Sequence, residues 1–178
     1  MKEKIRGYFG VGIENSSKQM NVGNLFRTAH AFGASFLFTI NAQYSIKKVK
    51  SDTSIAPKNI PWYDYESYKN FKLPIGCSLI GVEFQEDSIE LPNFRHPLNT
   101  AYILGPELGG LSPEILKICL DVVKIPTKFS LNVATAGAII LYDRFRTLGK
   151  FGKRPLSSLD SPIPPMEHVH GEPIKRKK

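Results

Sequence analysis

The chain has 178 residues, a hydrophobic fraction of 42% and a charged fraction of 22%, which bound it to one ordinary globular domain with a sizeable core. No run approaches the roughly 18 apolar residues of a membrane-spanning helix, and the charged N-terminus leads into too short an apolar segment for a signal peptide. The two cysteines, Cys77 and Cys119, lack CxxC or histidine neighbours, so we expect small buried thiols in a reducing, cytoplasmic setting, without disulfide or metal. The formal net charge of +8 favours a polyanionic partner, since each neutralised phosphate releases counterions. Basic residues gather at Lys47, Lys48 and Lys50, at Arg144, Arg146, Lys150, Lys153 and Arg154, and at residues 175–178. Charge alone leaves RNA, DNA and acidic membranes open.

In chain order, residues 6–14 (R-G-Y-F-G-V-G-I-E) read as a buried strand whose glycines allow close backbone approach. Residues 21–32 have helical periodicity, with Leu25, Phe26, Ala29 and Phe32 as the apolar stripe and Gly33 suited to the position just past the end. Residues 35–40 are a second strand, followed by a polar, irregular stretch containing Pro57 and Pro61 and an aromatic-rich helix or turn around 63–71. Strands follow at 78–84, 101–104 and 122–125. A helix at 112–120 has Ser112 as N-cap and Pro113 in its first turn. The longest helix spans 130–146, capped by Ser130. Strands separated by helices predict a mostly parallel α/β sheet flanked by helices. Residues 1–152 form the expected domain, and 153–178 a Pro-rich basic tail that packs no core.

Three segments carry chemistry. In N-V-G-N-L-F-R-T-A-H-A-F-G, Asn24, Arg27 and Thr28 share a face opposite the apolar stripe, and Asn21 is assigned to the same side at the helix start. A guanidinium between amides there suits a phosphate or ribose hydroxyl; a solvated amphipathic helix would have the same pattern, and His30 lies off that face. In L-G-P-E-L-G-G-L-S-P, a strand runs into a glycine-rich loop before a capped helix. Its open backbone suits an adenine edge and ribose, and Glu107 is a carboxylate that a plain turn does not require. In I-P-T-K-F-S-L-N-V-A-T-A-G-A, Ser130 and Asn132 stand at a helix start. Ala134, Ala136, Gly137 and Ala138 imply close packing against another backbone, within the fold or across a dimer.

Taken together, N-x-G-N-x-x-R, L-G-x-E-x-x-G-L and I-P-x-x-x-S-L-N-V-A-x-A resemble, in order and spacing, the three motifs of SpoU/TrmH-type RNA ribose methyltransferases over residues 6–148. The resemblance implies a parallel sheet closed by a deep C-terminal trefoil knot, a feature composition could not suggest. It implies a bent S-adenosylmethionine bound by loops 82–86, 104–109 and 125–131, with Leu104, Gly105, Glu107, Gly109, Ile125, Pro126, Leu131 and Ala134 around it. Asn21, Arg27, Glu107, Ser130 and Asn132 match the family's catalytic positions. A homodimer is implied, in which Arg27 reaches the partner's cofactor site. The activity implied is methyl transfer to a ribose 2′-hydroxyl of RNA, transfer RNA ahead of ribosomal RNA, without metal or membrane. Two departures stand out: the motif domain begins at the N-terminus, where many relatives carry a separate RNA-binding domain, and Leu108 replaces a common glycine. A non-catalytic RNA-binding or ribosome-assembly protein on the same scaffold is the alternative, and methylation of a base a third reading.

Overall fold

A computed structural model describes residues 7–15, 18–42, 56–106 and 109–149. Among these, the elements run β1 (Tyr8–Glu14), α1 (Gln19–Ala31), β2 (Phe36–Ile40), α2 (Ala56–Asn59), β3 (Trp62–Tyr65), β4 (Ser78–Val82), β5 (Ile89–Glu90), β6 (Asn99–Leu104), α3 (Pro113–Ile118), β7 (Asp121–Lys124) and α4 (Val133–Leu148). The strands form one sheet in the order β3-β2-β1-β6-β4-β7-β5, every neighbouring pair parallel. β2 and the last five residues of β1 are buried throughout, as expected of parallel strands covered on both faces. On one face α1 and α4 cover Val11, Ile13, Leu37 and Tyr102 with Leu25, Phe26, Ile140 and Leu141. On the other, Leu111 and Ile115 cover Phe38, Ile40, Leu79 and Ile103.

The glycines of β1 have a specific cause. A Cβ on Gly10 or Gly12 would stand 2.3 Å from the ring of Phe36 or Phe38, so it is aromatic rings from β2, not a neighbouring backbone, that cross them. Phe36 is 7% and Phe38 1% exposed, so neither ring has room to swing away. We expect Gly12→Ala to destabilise the fold by about 2 kcal/mol, read from the urea midpoint, against the ordinary gain from filling a strand glycine. Helix α1 closes as its sequence predicts. Gly33, at φ +81°, donates its N–H to the His30 carbonyl (2.9 Å), and Ala34 donates to Ala29 (2.9 Å).

Three sequence expectations change. The stretch around 63–71 contains the edge strand β3 and only then a 3-10 turn, Tyr68–Asn70, because the aromatic W-Y-D-Y run finds a free edge on β2. Helix α4 begins at Val133, with Asn132 rather than Ser130 as its cap: the Asn132 Oδ1 accepts from the N–H groups of Ala134 (2.9 Å) and Thr135 (3.4 Å). Arg144 is not part of a surface cluster, being 3% exposed. Its guanidinium donates to the carbonyls of Pro97 (2.6 Å) and Leu98 (2.7 Å) and lies 5.3 Å from the Phe9 ring centre. The basic residues at 47–50, 150–154 and 175–178 lie outside the described residues. Cys77 and Cys119 are free but half-buried, and burial pushes the Cys119 thiol up to about 12, away from thiolate chemistry.

Beside Arg144, His96 joins two elements. Its Nδ1 is 2.6 Å from the Tyr102 hydroxyl and its Nε2 2.9 Å from an Asp143 carboxylate oxygen. A neutral ring satisfies both, donating from Nε2 and accepting at Nδ1. Burial holds His96 below its ordinary 6.5, against the opposing pull of Asp143. Between the folded and unfolded values the unfolded chain binds the proton more readily, so this stability is complete above about pH 6.5 and falls as pH drops through it. Denaturation midpoints between pH 7.5 and 5 should show that loss, and His96→Gln should flatten it.

Candidate active site

The carboxyl ends of β4, β6 and β7 open onto a cleft of about 570 Å³, within the range of small-molecule sites. Its walls come from three loops and two helix starts. Val82 ends β4 and Glu83 and Phe84 follow it; Leu104 ends β6, with Gly105, Pro106, Gly109 and Gly110 after it; Val123 and Lys124 end β7, with Ile125, Thr127, Ser130 and Leu131 after it. Asn132, Val133 and Ala136 close it from α4, and Lys18 from the start of α1.

Of the residues expected around a cofactor, Leu104, Gly105, Gly109, Ile125 and Leu131 lie on the wall, as do Ser130 and Asn132 from the catalytic set. Pro126 is exposed beside the cleft without lining it, and Ala134 packs against the core beneath α1 and α4. Ala136, two positions further along α4, lines the wall instead. Glu107 lies outside the described residues.

Asn21 is half-buried, and its Oδ1 accepts from Asn132 Nδ2 at 3.2 Å, linking the first and third segments. It does not share a side with Arg27: six residues at 3.6 per turn set them roughly 120° apart. Arg27 is exposed and stands off the described wall of the cleft. Thr28 turns its hydroxyl back to the Asn24 carbonyl (2.8 Å), the local bond a mid-helix threonine favours.

Residues given no individual role by sequence hold the loops in place. Glu83 Oε2 accepts from the Leu111 N–H (2.7 Å) and Oε1 from the Phe84 N–H (2.9 Å). A Cβ on Gly110 would fall 2.7 Å from that carboxylate, so glycine there permits the latch. Glu14, 4% exposed, accepts from the Ser112 N–H (2.8 Å) and hydroxyl (2.6 Å), tying the end of β1 to the cap of α3. Lys124 donates to the carbonyls of Gln85 (3.1 Å) and Glu86 (2.7 Å), fixing the loop after β4. Each of these acids follows an apolar strand (G-I-E, G-V-E), the one sequence hint that they face a strand's carboxyl end.

Because Asn132 is the cap, Asn132→Ala should cost about 1 kcal/mol in the urea midpoint, while Ser130→Ala should leave it unchanged.

The sequence profile of the SpoU rRNA Methylase family matches residues 9–142. A tRNA (guanosine(18)-2'-O)-methyltransferase of Aquifex aeolicus is 29% identical over 146 residues, covering 76% of this chain and 68% of its own length. A structure described as giving insights into 2-OH methylation of C/U34 on tRNA superposes with a TM-score of 0.70 at 25% identity, covering 80% of this chain and 97% of that one. The SpoU methyltransferase AviRb of Streptomyces viridochromogenes in complex with AdoMet superposes with a TM-score of 0.68 at 24% identity, covering 79% of this chain and 58% of its own. The chain thus spans about two thirds of the Aquifex protein and less of AviRb.

Proposed function

Because this chain belongs to the SpoU rRNA Methylase family, we propose that it transfers a methyl group from S-adenosylmethionine to a ribose 2′-hydroxyl of RNA. The observation that carries this is the convergence of all three motif segments on one cleft or its border, with Asn21 bonded to Asn132 across them. The cleft fits the cofactor: apolar Leu104, Ile125, Leu131 and Val133 offer a surface for a flat base, and the glycine-rich loop offers backbone polar groups close by. Bound there, S-adenosylmethionine supplies an electrophilic methyl on a sulfonium.

The chain's own part is alignment and charge. Transfer to a hydroxyl is an in-line displacement in which the new C–O bond would form as the methyl–sulfur bond breaks and the weakly acidic hydroxyl proton passes to water, so it needs positioning. Ser130, on the wall, and the Asn21–Asn132 pair orient the ribose; Glu107 completes the cofactor loop. Arg27 clamps the phosphate and stabilises the developing alkoxide, since a guanidinium stays protonated and is a poor base. Its position off the described wall of its own cleft favours a homodimer in which it serves the partner's site. We further assign the chain a C-terminal trefoil knot and a cytoplasmic setting; none of the helices among the described residues is long and apolar enough to cross a membrane.

Transfer RNA is the preferred substrate, given the named activity of the Aquifex relative. The test is incubation with labelled S-adenosylmethionine and unmodified tRNA, then ribosomal RNA, followed by nucleoside analysis. Label in a 2′-O-methylnucleoside supports the reading. Label on a base overturns the ribose assignment, and failure to bind the cofactor by calorimetry favours a non-catalytic RNA-binding protein.

A further inference from the structure

Phe129 is 73% exposed, an unusual place for a phenylalanine, and in the chain it falls between two residues of the cleft wall. Its neighbours Thr127 and Ser130 both line the wall. The segment that presents it is braced: Thr127 donates its N–H to the Ile125 carbonyl (2.8 Å) and its hydroxyl to the Phe129 carbonyl (2.8 Å). The exposed ammonium of Lys128 comes next to the ring in sequence. An exposed apolar ring and an exposed cation on consecutive residues of a cleft-lining segment match the two parts of a nucleotide, base and phosphate.

We propose that Phe129 and Lys128 form the landing site for the target nucleotide, the base stacking on the Phe129 ring and an adjacent phosphate meeting Lys128. This rests on the RNA methyltransferase reading above. A stacked duplex shows its 2′-hydroxyls on a shallow minor groove, so a ribose enters a concave cleft more readily from an unstacked nucleotide, and an aromatic ring beside the cleft replaces the lost stacking. A ring contact reads no hydrogen-bonding edge, so it holds any base and leaves sequence choice to the rest of the RNA surface.

The test uses the full chain and unmodified tRNA transcribed in vitro. Phe129→Ala should raise the KM for tRNA about 10-fold or more, with calorimetric affinity for S-adenosylmethionine and the urea midpoint unchanged. Lys128→Ala should raise the same KM and reduce the salt dependence of tRNA binding by about one phosphate contact. The chain's one tryptophan is Trp62, so Phe129→Trp adds a reporter at this position. Its added emission should be quenched by tRNA and not by inorganic polyphosphate at equal phosphate concentration. An unchanged KM together with equal quenching by polyphosphate overturns the proposal. So does a loss of cofactor affinity in Phe129→Ala, which would place the ring in the cofactor pocket, or a changed mass in solution, which would place it in a contact between copies. If the wild type methylates no RNA, the catalytic reading fails on its own, and the quenching still decides whether a base stacks on residue 129.

Discussion

Arg27→Ala is expected to lower kcat by at least about 100-fold while the affinity for S-adenosylmethionine, measured by calorimetry, stays within about twofold. The magnitude is that of removing one preorganised stabiliser of a developing oxyanion. The separation follows from position: Arg27 is exposed on α1 and stands off the described wall of the cleft that would hold the cofactor. Loss of cofactor affinity would refute the assignment. Arg27→Lys should recover little, because a point charge cannot reproduce a planar two-donor grip on phosphate. The dimeric arrangement has its own test. Co-expressed Arg27→Ala and Ser130→Ala chains should show more turnover than either alone, since a mixed dimer rebuilds one complete site. No gain over the separate variants would put Arg27 to work in its own protomer.

The second large effect concerns stability. Arg144→Ala should destabilise the fold by about 2–5 kcal/mol, a large share of the 5–15 kcal/mol that hold a typical domain. The guanidinium is buried and serves the carbonyls of Pro97 and Leu98, with longer contacts to the Tyr102 hydroxyl and the Tyr8 carbonyl (both 3.4 Å). Truncation leaves these acceptors without a donor in a dry place, where each costs its full desolvation. Arg144→Lys should recover part of the loss, one ammonium being unable to span acceptors on two segments. The carbonyl contacts lie at the amino ends of β1 and β6, at the opposite end of the strands from the cleft. Turnover per folded molecule should therefore be unchanged in both variants, with the urea midpoint the quantity that moves.

The fold was legible wherever one local rule dominated. Buried parallel strands are apolar runs, so β1, β2, β4 and β6 stand out in the sequence; Ser112-Pro113 and Gly33 mark helix ends through backbone chemistry they alone supply. Legibility ended where two rules compete. Ser130 and Asn132 are both good caps, and only the three-dimensional course of residues 125–131 selects the second. Arg144 reads as one more surface cation because nothing local reveals that Pro97 and Leu98 turn their carbonyls toward it. At the site, the motif segments were legible as a set, whereas Glu83 and Glu14 were not. Their partners are backbone N–H groups 28 and 98 residues away, pairings that leave no pattern in a single sequence.

The strand order has a consequence for how the chain is made. β1 is an interior strand of the sheet, yet one of its two neighbours is β6, with Tyr8 opposite Asn99. Both neighbours of β4, namely β6 and β7, are also synthesised after it. Until β6 has emerged, therefore, β1 and β4 each present a bare apolar edge, and the sheet cannot close from its first half. Contacts of such long sequence separation make folding slow, because loop closure precedes the interactions that reward it. On the ribosome the N-terminal half must wait for the segment that carries the glycine-rich loop. Ribosome-bound fragments ending before residue 99 should remain open to protease, and protection should arrive in one step once β6 is free of the exit tunnel.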